Sequence, residues 1–449
     1  MNEVRNLINE LEPQFSKDLA DLMKIQSISI ESEIEEQPFG RGVREAFDRF
    51  LAIAQRLEFS VSDDHGYACD AAINAGDKYI GILGHLDVVP AGDLSLWKHP
   101  PYQLTEIDGM LYGRGVNDDK GPLLAALYAV FVFHEIYPEL KLPVKVIAGG
   151  AEETTWRGIH HYFNTHVQPV FGFSPDGNFP VVNGEKGILK FCVSWKVNNE
   201  GQLDQIVQLT SMTPPNFVCD DVCLVIRNTK SGPDSEQTSL HFTGEKALSR
   251  HPERGDNAIW KLSDEIIRTH LRNHALTKMA EFIHRYFSDD WYGKRSNIYH
   301  NDKEMGETSI TITRVQFKDD QLKLHFDYRY VNGVDIDQVK DNLCQLAAEF
   351  GGDFLIEEEK KMLYLPGDSS FIAALKDAYF RITGDQAEPI TKGGASYARV
   401  LDNGVAFGAT FVGEEPNPHM PNEHMAMESL KKACEIYVYA LRNLAEILP

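Results

Sequence analysis

Short apolar runs of strand length alternate with helix-length segments at both ends of this chain, and a long stretch between them follows a different rhythm. The runs Lys78–Leu83, Leu142–Ala148, Val170–Phe173 and Val405–Phe411 are too short for helices. They read as strands buried on both faces. Segments of helical period precede them, Asn2–Ile25 and Arg44–Leu57, and separate them, notably Gly121–Ile136, with Pro122 in its first turn, where a missing N–H costs little. This alternation predicts an α/β fold with a largely parallel sheet flanked by helices.

From about Glu185 to Leu363 the texture changes. Alternating strands (Leu189–Val197, Ser309–Gln316, Gln321–Tyr330) occur with two helical stretches, Asn257–Arg272 and Asp335–Phe350. That mixture predicts a separate α+β layer. Helix resumes at Ser370–Thr383 and closes the chain at Met427–Ile447. The expected organisation is therefore a discontinuous first domain, 1–185 and 364–449, with a second domain, 186–363, inserted into it.

Composition narrows the function classes. Acidic residues number 67 against 44 basic ones, a net charge of −23. Nucleic-acid binding needs clustered Lys and Arg, so it is not expected, nor is binding to anionic membranes. The longest apolar run, Leu123–Phe133, is far short of the roughly 20 residues of a membrane span. The Met1–Leu7 start has no apolar stretch behind it, which predicts no secretory signal. Six cysteines (Cys69, Cys192, Cys219, Cys223, Cys344 and Cys434) are too sparse for a disulfide framework and read as reduced thiols of a cytoplasmic protein.

The residues that carry chemistry follow the strands. Gly84-His85-Leu86-Asp87 follows the first run, and Gly113 to Gly121, containing Asp118, precedes a helix. Glu152-Glu153 and Ser174-Pro175-Asp176-Gly177 follow the next two runs, and Pro418 to His424 follows the last. Each alone has an ordinary reading: a lone His as a turn residue, Glu152-Glu153 as a helix N-terminus, Asp118 as an N-cap. Together they feed the crevice beyond the strand carboxyl ends, where open α/β sheets bind ligands. His, Asp, Glu, Asp and His form an oxygen–nitrogen donor set suited to Zn²⁺, Mn²⁺ or Co²⁺. If one carboxylate bridges, the set suits two metals roughly 3.5–4 Å apart. One carboxylate of Glu152-Glu153 is then free to act as general base.

These strings resemble those of the M20 metallopeptidases, and most closely the PepV-like bacterial dipeptidases. The matches are Gly84-His85-Leu86-Asp87-Val88-Val89-Pro90, Tyr112 to Gly121, Glu152-Glu153-Thr154, Pro175-Asp176-Gly177, Gly393-Gly394-Ala395-Ser396-Tyr397-Ala398-Arg399 and His419-Met420-Pro421-Asn422-Glu423. They run in order over essentially the whole chain. The resemblance implies that His85 and Asp176 bind one metal, Glu153 and His419 the other, and that Asp118 bridges them. It makes Asp87 the partner that orients His85 and Glu152 the general base. The register of the last string assigns His419, rather than the nearby His424, as ligand. The resemblance makes 1–185 with 364–449 the catalytic domain and the inserted 186–363 its lid, where Asn216 matches a family substrate residue, with Cys219 where Pro is usual. Arg329 matches the residue that binds the substrate's terminal carboxylate, helped by the loop containing Gly393, Gly394 and Ser396.

One departure from the family bears directly on catalysis, beside lesser ones at Ala151 and Ser396. The lid string runs from Gly244 to Ala258, and its usual His is Leu248. That His donates to the oxyanion of the tetrahedral intermediate, so the resemblance leaves His251 or Arg250 as candidate replacements. The implied activity is hydrolysis of the amide bond of dipeptides by a water activated between two divalent metals, Zn²⁺ or alternatively Mn²⁺ or Co²⁺, with Glu152 as base. The alternatives are a weak or inactive homologue, or an N-acyl amino acid deacylase or carboxypeptidase of the same family. A lid of this size resembles that of the monomeric branch, and the only expected partner is a small peptide substrate.

Overall fold

A computed structural model describes residues 2–74, 76–229, 237–394 and 396–448. The chain divides into two compact units. One comprises Met1–Gly184, Leu363–Thr391 and Ala395–Pro449, and the other Glu185–Met362 with Lys392–Gly394.

The first unit is built on a nine-stranded sheet. At its centre Ile80–His85 lies between Val144–Gly149 and Phe171–Ser174, parallel to both, and Gly404–Ala406 runs parallel to Phe171–Ser174. These are the strands that the apolar runs predict. The sheet is mixed, however, because antiparallel strands extend both edges. Ser60–Asp64 and Ala68–Ile73 form a hairpin beside Val144–Gly149, and Val182–Glu185 pairs antiparallel with Gly404–Ala406. The hairpin turns through His65 and Gly66, both at positive φ, and needs no crossover helix.

The helix Lys120–Ile136 is buried along nearly its whole length. A helix that is apolar all round belongs inside a layer, and here it packs against Asn2–Met23 and Met427–Ala445. No described helix is long and apolar enough to cross a membrane.

The second unit holds a seven-stranded antiparallel sheet. Its order is Gln237–Thr243, Asp221–Asn228, Asp204–Ser211, Ser309–Lys318, Gln321–Tyr330, Gly187–Lys196, Asp353–Lys360. Phe191, Val193 and Trp195 alternate onto one face and share a core with Met279 and Phe282 of the helix His274–Tyr286. Cys192 and Ser194 fall on the opposite face by the same two-residue period. Asn257 starts the helix Ala258–Thr269: its Oδ1 accepts from the Ile259 N–H at 3.0 Å, and its Nδ2 donates to the Ile312 carbonyl at 2.8 Å.

Candidate metal centre

The parallel strands bring three of the motifs together. His85 ends its strand in register with Gly149, so the turn carrying Glu152 and Glu153 starts beside it. Asp176 follows the next parallel strand, which ends at Ser174. Gly84 is needed here: a Cβ at this position would sit 2.2 Å from Asp119 Oδ2, the atom that accepts the His85 N–H at 3.0 Å. Burial pushes the Asp119 carboxyl well above the usual range, with Asp176 adding to the shift.

The two histidines converge on one carboxylate. His85 Nδ1 lies 3.0 Å from the Asp87 carbonyl. A carbonyl only accepts, so Nδ1 carries a proton, and Nε2 would present its lone pair once an ion replaces its bond to Asp118. Nε2 is 3.0 Å from Asp118 Oδ1 and 3.8 Å from Asp176 Oδ2. His419 Nε2 is 2.9 Å from Asp118 Oδ2 and 3.0 Å from Glu153 Oε2. Each oxygen of Asp118 therefore serves a different imidazole. The ligand atoms form two groups, His85–Asp118–Asp176 and Asp118–Glu153–His419, each within 4.8 Å.

The electrostatics fit two cations. The carboxylates of Asp118, Glu152, Glu153 and Asp176 crowd two imidazoles, and Glu153 Oε1 is buried without a partner. Burial opposes charge on Asp118, yet hydrogen bonds from His419 and His85 hold its carboxyl below the usual range. The bonds to Asp118 and Glu153 push His419 up to about 10. Burial raises Glu152 well above its ordinary value; Asp176, Glu153 and Asp118 add to this and His85 opposes it. Burial also raises Glu153, against the bond from His419. Bound divalent ions are the largest charges such a site can hold, and they relieve this crowding.

Asp87 is buried, and its two oxygens accept the Glu152 and Glu153 N–H groups at 3.1 Å each. Its carboxylate thus fixes the glutamate turn, while its carbonyl is the closer partner of the His85 ring. Glu423 takes no site role in the motif reading, yet it shapes the loop that presents Asp118. It accepts from Arg114 at 2.6 Å and from the Gly115, Asn117 and Asp118 N–H groups at 3.0, 2.9 and 3.1 Å. Burial pushes its carboxyl up to about 7, with Asp118 adding and Arg114 opposing. The available signal was its place in the same string as His419. His424 points Nδ1 at the Asn422 carbonyl, 2.9 Å away, and belongs to neither ligand group.

The remaining candidate residues, apart from Ser396, lie in the second unit. Asp327 joins several of them: it accepts from Arg329 Nε at 2.7 Å and Nη2 at 2.8 Å, and from Ser249 Oγ at 2.6 Å. Ser249 N–H donates to the Asn216 carbonyl at 2.9 Å, and Arg329 Nη1 to the Gly393 carbonyl at 3.0 Å. Asn216, Arg329 and Gly393 are thereby linked. Gly394 groups with this unit and Ser396 with the other; Ala395 lies outside the described residues. Leu248 bridges to Phe217, with its side chain partly exposed. His251 Nδ1 is 3.7 Å from Glu253 Oε1. The Arg250 side chain runs along Gly393, where a Cβ would meet it at 3.1 Å.

Comparison with known proteins settles the family, for residues 81–443 match the profile of peptidase family M20/M25/M40. The chain belongs to that family. It is accordingly a hydrolase of the metallopeptidase class. It is similar to the Beta-Ala-Xaa dipeptidase of Lactobacillus delbrueckii, at 31% identity with 96% of each chain covered. Its fold is that of human carnosine dipeptidase 1, with a TM-score of 0.60, 17% identity, and 99% of this chain and 98% of that one covered. It also shares the fold of a Bacillus subtilis protein described as a dinuclear metal-binding M20 peptidase, with a TM-score of 0.54, 14% identity, and 98% and 99% covered.

Proposed function

We propose that the chain is a dipeptidase that hydrolyses the amide bond of dipeptides at this centre. The observation that carries the reading is Asp118, with one oxygen on each imidazole, beside the Asp87-held turn that carries Glu152 and Glu153. His85 and Asp176 would hold one ion, Glu153 and His419 a second, and Asp118 would contribute to both; the donor set suits Zn²⁺, with Mn²⁺ or Co²⁺ as substitutes. When bound, such a pair supplies Lewis acidity to the scissile carbonyl and lowers the pKa of water.

Glu152 acts as the general base. It takes a proton from the attacking water and returns it to the leaving amine. Burial and its carboxylate neighbours raise its proton affinity, which suits a group that must both accept and give back a proton at neutral pH. Asp87 keeps Glu152 and Glu153 on one rigid turn, so base and ligand do not exchange roles. Arg329 spends three of its five N–H groups on Asp327 and Gly393, and the remaining pair takes the substrate's terminal carboxylate. Asn216 and the loop of Gly393, Gly394 and Ser396 complete substrate binding.

The similarity to the Beta-Ala-Xaa dipeptidase supports dipeptides over acylated amino acids. Metal-loaded protein tested on a dipeptide panel and on matching N-acetyl amino acids decides the point. Turnover confined to the acetylated set would replace this reading with that of a deacylase. A second reading, a weak catalyst, is favoured by Leu248, whose side chain has no donor and lies partly exposed. Turnover on the best dipeptide near the uncatalysed rate would select it.

A further inference from the structure

The second unit contains a group of side chains that the reaction does not use. Cys192 lies on Gly187–Lys196, His325 on Gln321–Tyr330 and Glu357 on Asp353–Lys360, three neighbouring strands of one sheet with the cysteine strand in the middle. Cys192 and His325 are direct cross-strand partners, and both are buried. Their sulfur and nitrogen ligand atoms and a Glu357 oxygen all lie within 4.8 Å of one another.

The sheet is locally irregular at this point. Lys190 pairs with Glu358 and Phe191 with Ile356, so Glu357 is the extra residue of a bulge. A bulge re-aims a side chain that strict alternation would direct elsewhere. Here the Glu357 carboxylate reaches His325 Nδ1, at 2.9 Å for Oε1 and 3.0 Å for Oε2. On the other side Ile312 pairs with Phe326 and Arg314 with His325, skipping Thr313. That second irregularity sets Arg314 Nη2 3.3 Å from His325 Nε2.

We propose that Cys192, His325 and Glu357 form a third metal site, which takes one transition ion of the Zn²⁺ class through sulfur, nitrogen and oxygen. A thiolate ligand selects against Mg²⁺ and Ca²⁺, while one imidazole and one carboxylate suit Zn²⁺ or Co²⁺. Bond lengths of about 2.3 Å to sulfur and 2.0–2.2 Å to nitrogen or oxygen put ligand atoms roughly 3.3–3.8 Å apart around one ion. The three strands need only small side-chain adjustments to reach that spacing. Three protein ligands leave a fourth position for water or another small donor.

A nucleophilic cysteine relay fits these contacts less well. It needs sulfur on one ring nitrogen and carboxylate on the other. Glu357 holds Nδ1 and Arg314 faces Nε2, so no nitrogen is left to take the thiol proton. Burial also pushes the Cys192 thiol up to about 11, with Glu357 adding to the shift, and a protonated buried thiol is inert. Metal binding resolves this balance. The ion takes Nδ1, the ring proton moves to Nε2, Arg314 turns away, and the sulfur proton leaves to solvent.

Cobalt distinguishes this site from the centre in the first unit, whose donors are all nitrogen and oxygen. Metal-free full-length protein under reducing conditions is titrated with Co²⁺ and followed in the near ultraviolet. A thiolate-to-cobalt charge-transfer band is expected in the wild type and in Asp118→Ala. It should disappear in Cys192→Ser, which should bind one cobalt equivalent fewer. Glu357→Gln, at a half-exposed position that folding tolerates, should weaken the band's apparent affinity at least tenfold. A wild type without the band at saturating Co²⁺, an equal band in Cys192→Ser, or an unchanged affinity in Glu357→Gln would overturn the proposal. None of these readouts depends on dipeptide turnover.

Discussion

Asp118 serves two imidazoles because its two oxygens diverge, and every other contact around it restricts where that carboxylate can go. Glu423 fixes the backbone leading into it, and Asp119, next in the chain, is pinned beneath His85. Replacing Asp118 with Ala is expected to remove both ions, whereas Glu153→Ala should remove one; elemental analysis of dialysed protein reads both. Glu152→Gln should keep both ions and lower kcat about 10²–10⁴-fold; loss of metal from that variant would merge the two glutamates into one role. His419 gives a pH signature in metal-free protein. Its value rises from 6.5 to about 10 on folding. That stabilisation is fully present below about pH 6.5 and is lost as pH climbs through about 10. Chelated wild type should therefore lose melting temperature over that window, and His419→Gln should show a flatter profile. At Leu248, a missing oxyanion donor costs about 2.7–4 kcal/mol in the transition state. Leu248→His should raise kcat with little change in KM. A collapse of activity in Arg250→Ala, which lies along Gly393, would instead place the donor there.

At the scale of elements, the sequence was readable where burial wrote a pattern. The parallel strands announce themselves as apolar runs because both faces are covered. The hairpin from Ser60 to Ile73 does not: its outer strand reads Ser-Val-Ser-Asp-Asp and is half exposed. Val182–Glu185 and Leu363–Tyr364 are too short to show a period. Asp118 and the four ligand-type residues around it were legible because His85, Glu153, Asp176 and His419 follow the apolar runs and Asp118 precedes a helix, each within a short motif. Glu423 was less so, since three of its four partners are backbone N–H groups some 300 positions away. The Cys192–His325–Glu357 group was invisible, because the bulge that makes it leaves no trace in spacing. Asn257 illustrates a residue that joins two elements: it caps one helix and holds the neighbouring strand at Ile312. Asn257→Ala removes both bonds and leaves a buried carbonyl unsatisfied, at a cost of about 2–4 kcal/mol. Urea unfolding should show a lower midpoint with an unchanged slope.

At the scale of the whole molecule, each unit has its own apolar core, so two calorimetric transitions are expected. Ligand binding stabilises only the unit that holds the ligand, by about 2.7 kcal/mol at a hundredfold excess over Kd. In metal-replete buffer, Asp118→Ala should lower one transition by several degrees and leave the other in place. A single shifted transition would mean that the units unfold as one.

The three residues Lys392–Gly394, which group with the second unit although they lie between segments of the first, bear on modular engineering. The Lys392 carbonyl accepts from Lys186 N–H and the Gly393 carbonyl from Arg329. Deleting 185–362 and splicing the ends would remove both of these donors from the loop. Transplanting that segment into a relative would likewise carry the arginine without the loop whose carbonyl it meets here. The insert is contiguous in the gene save for these three codons, and any graft has to move them with it.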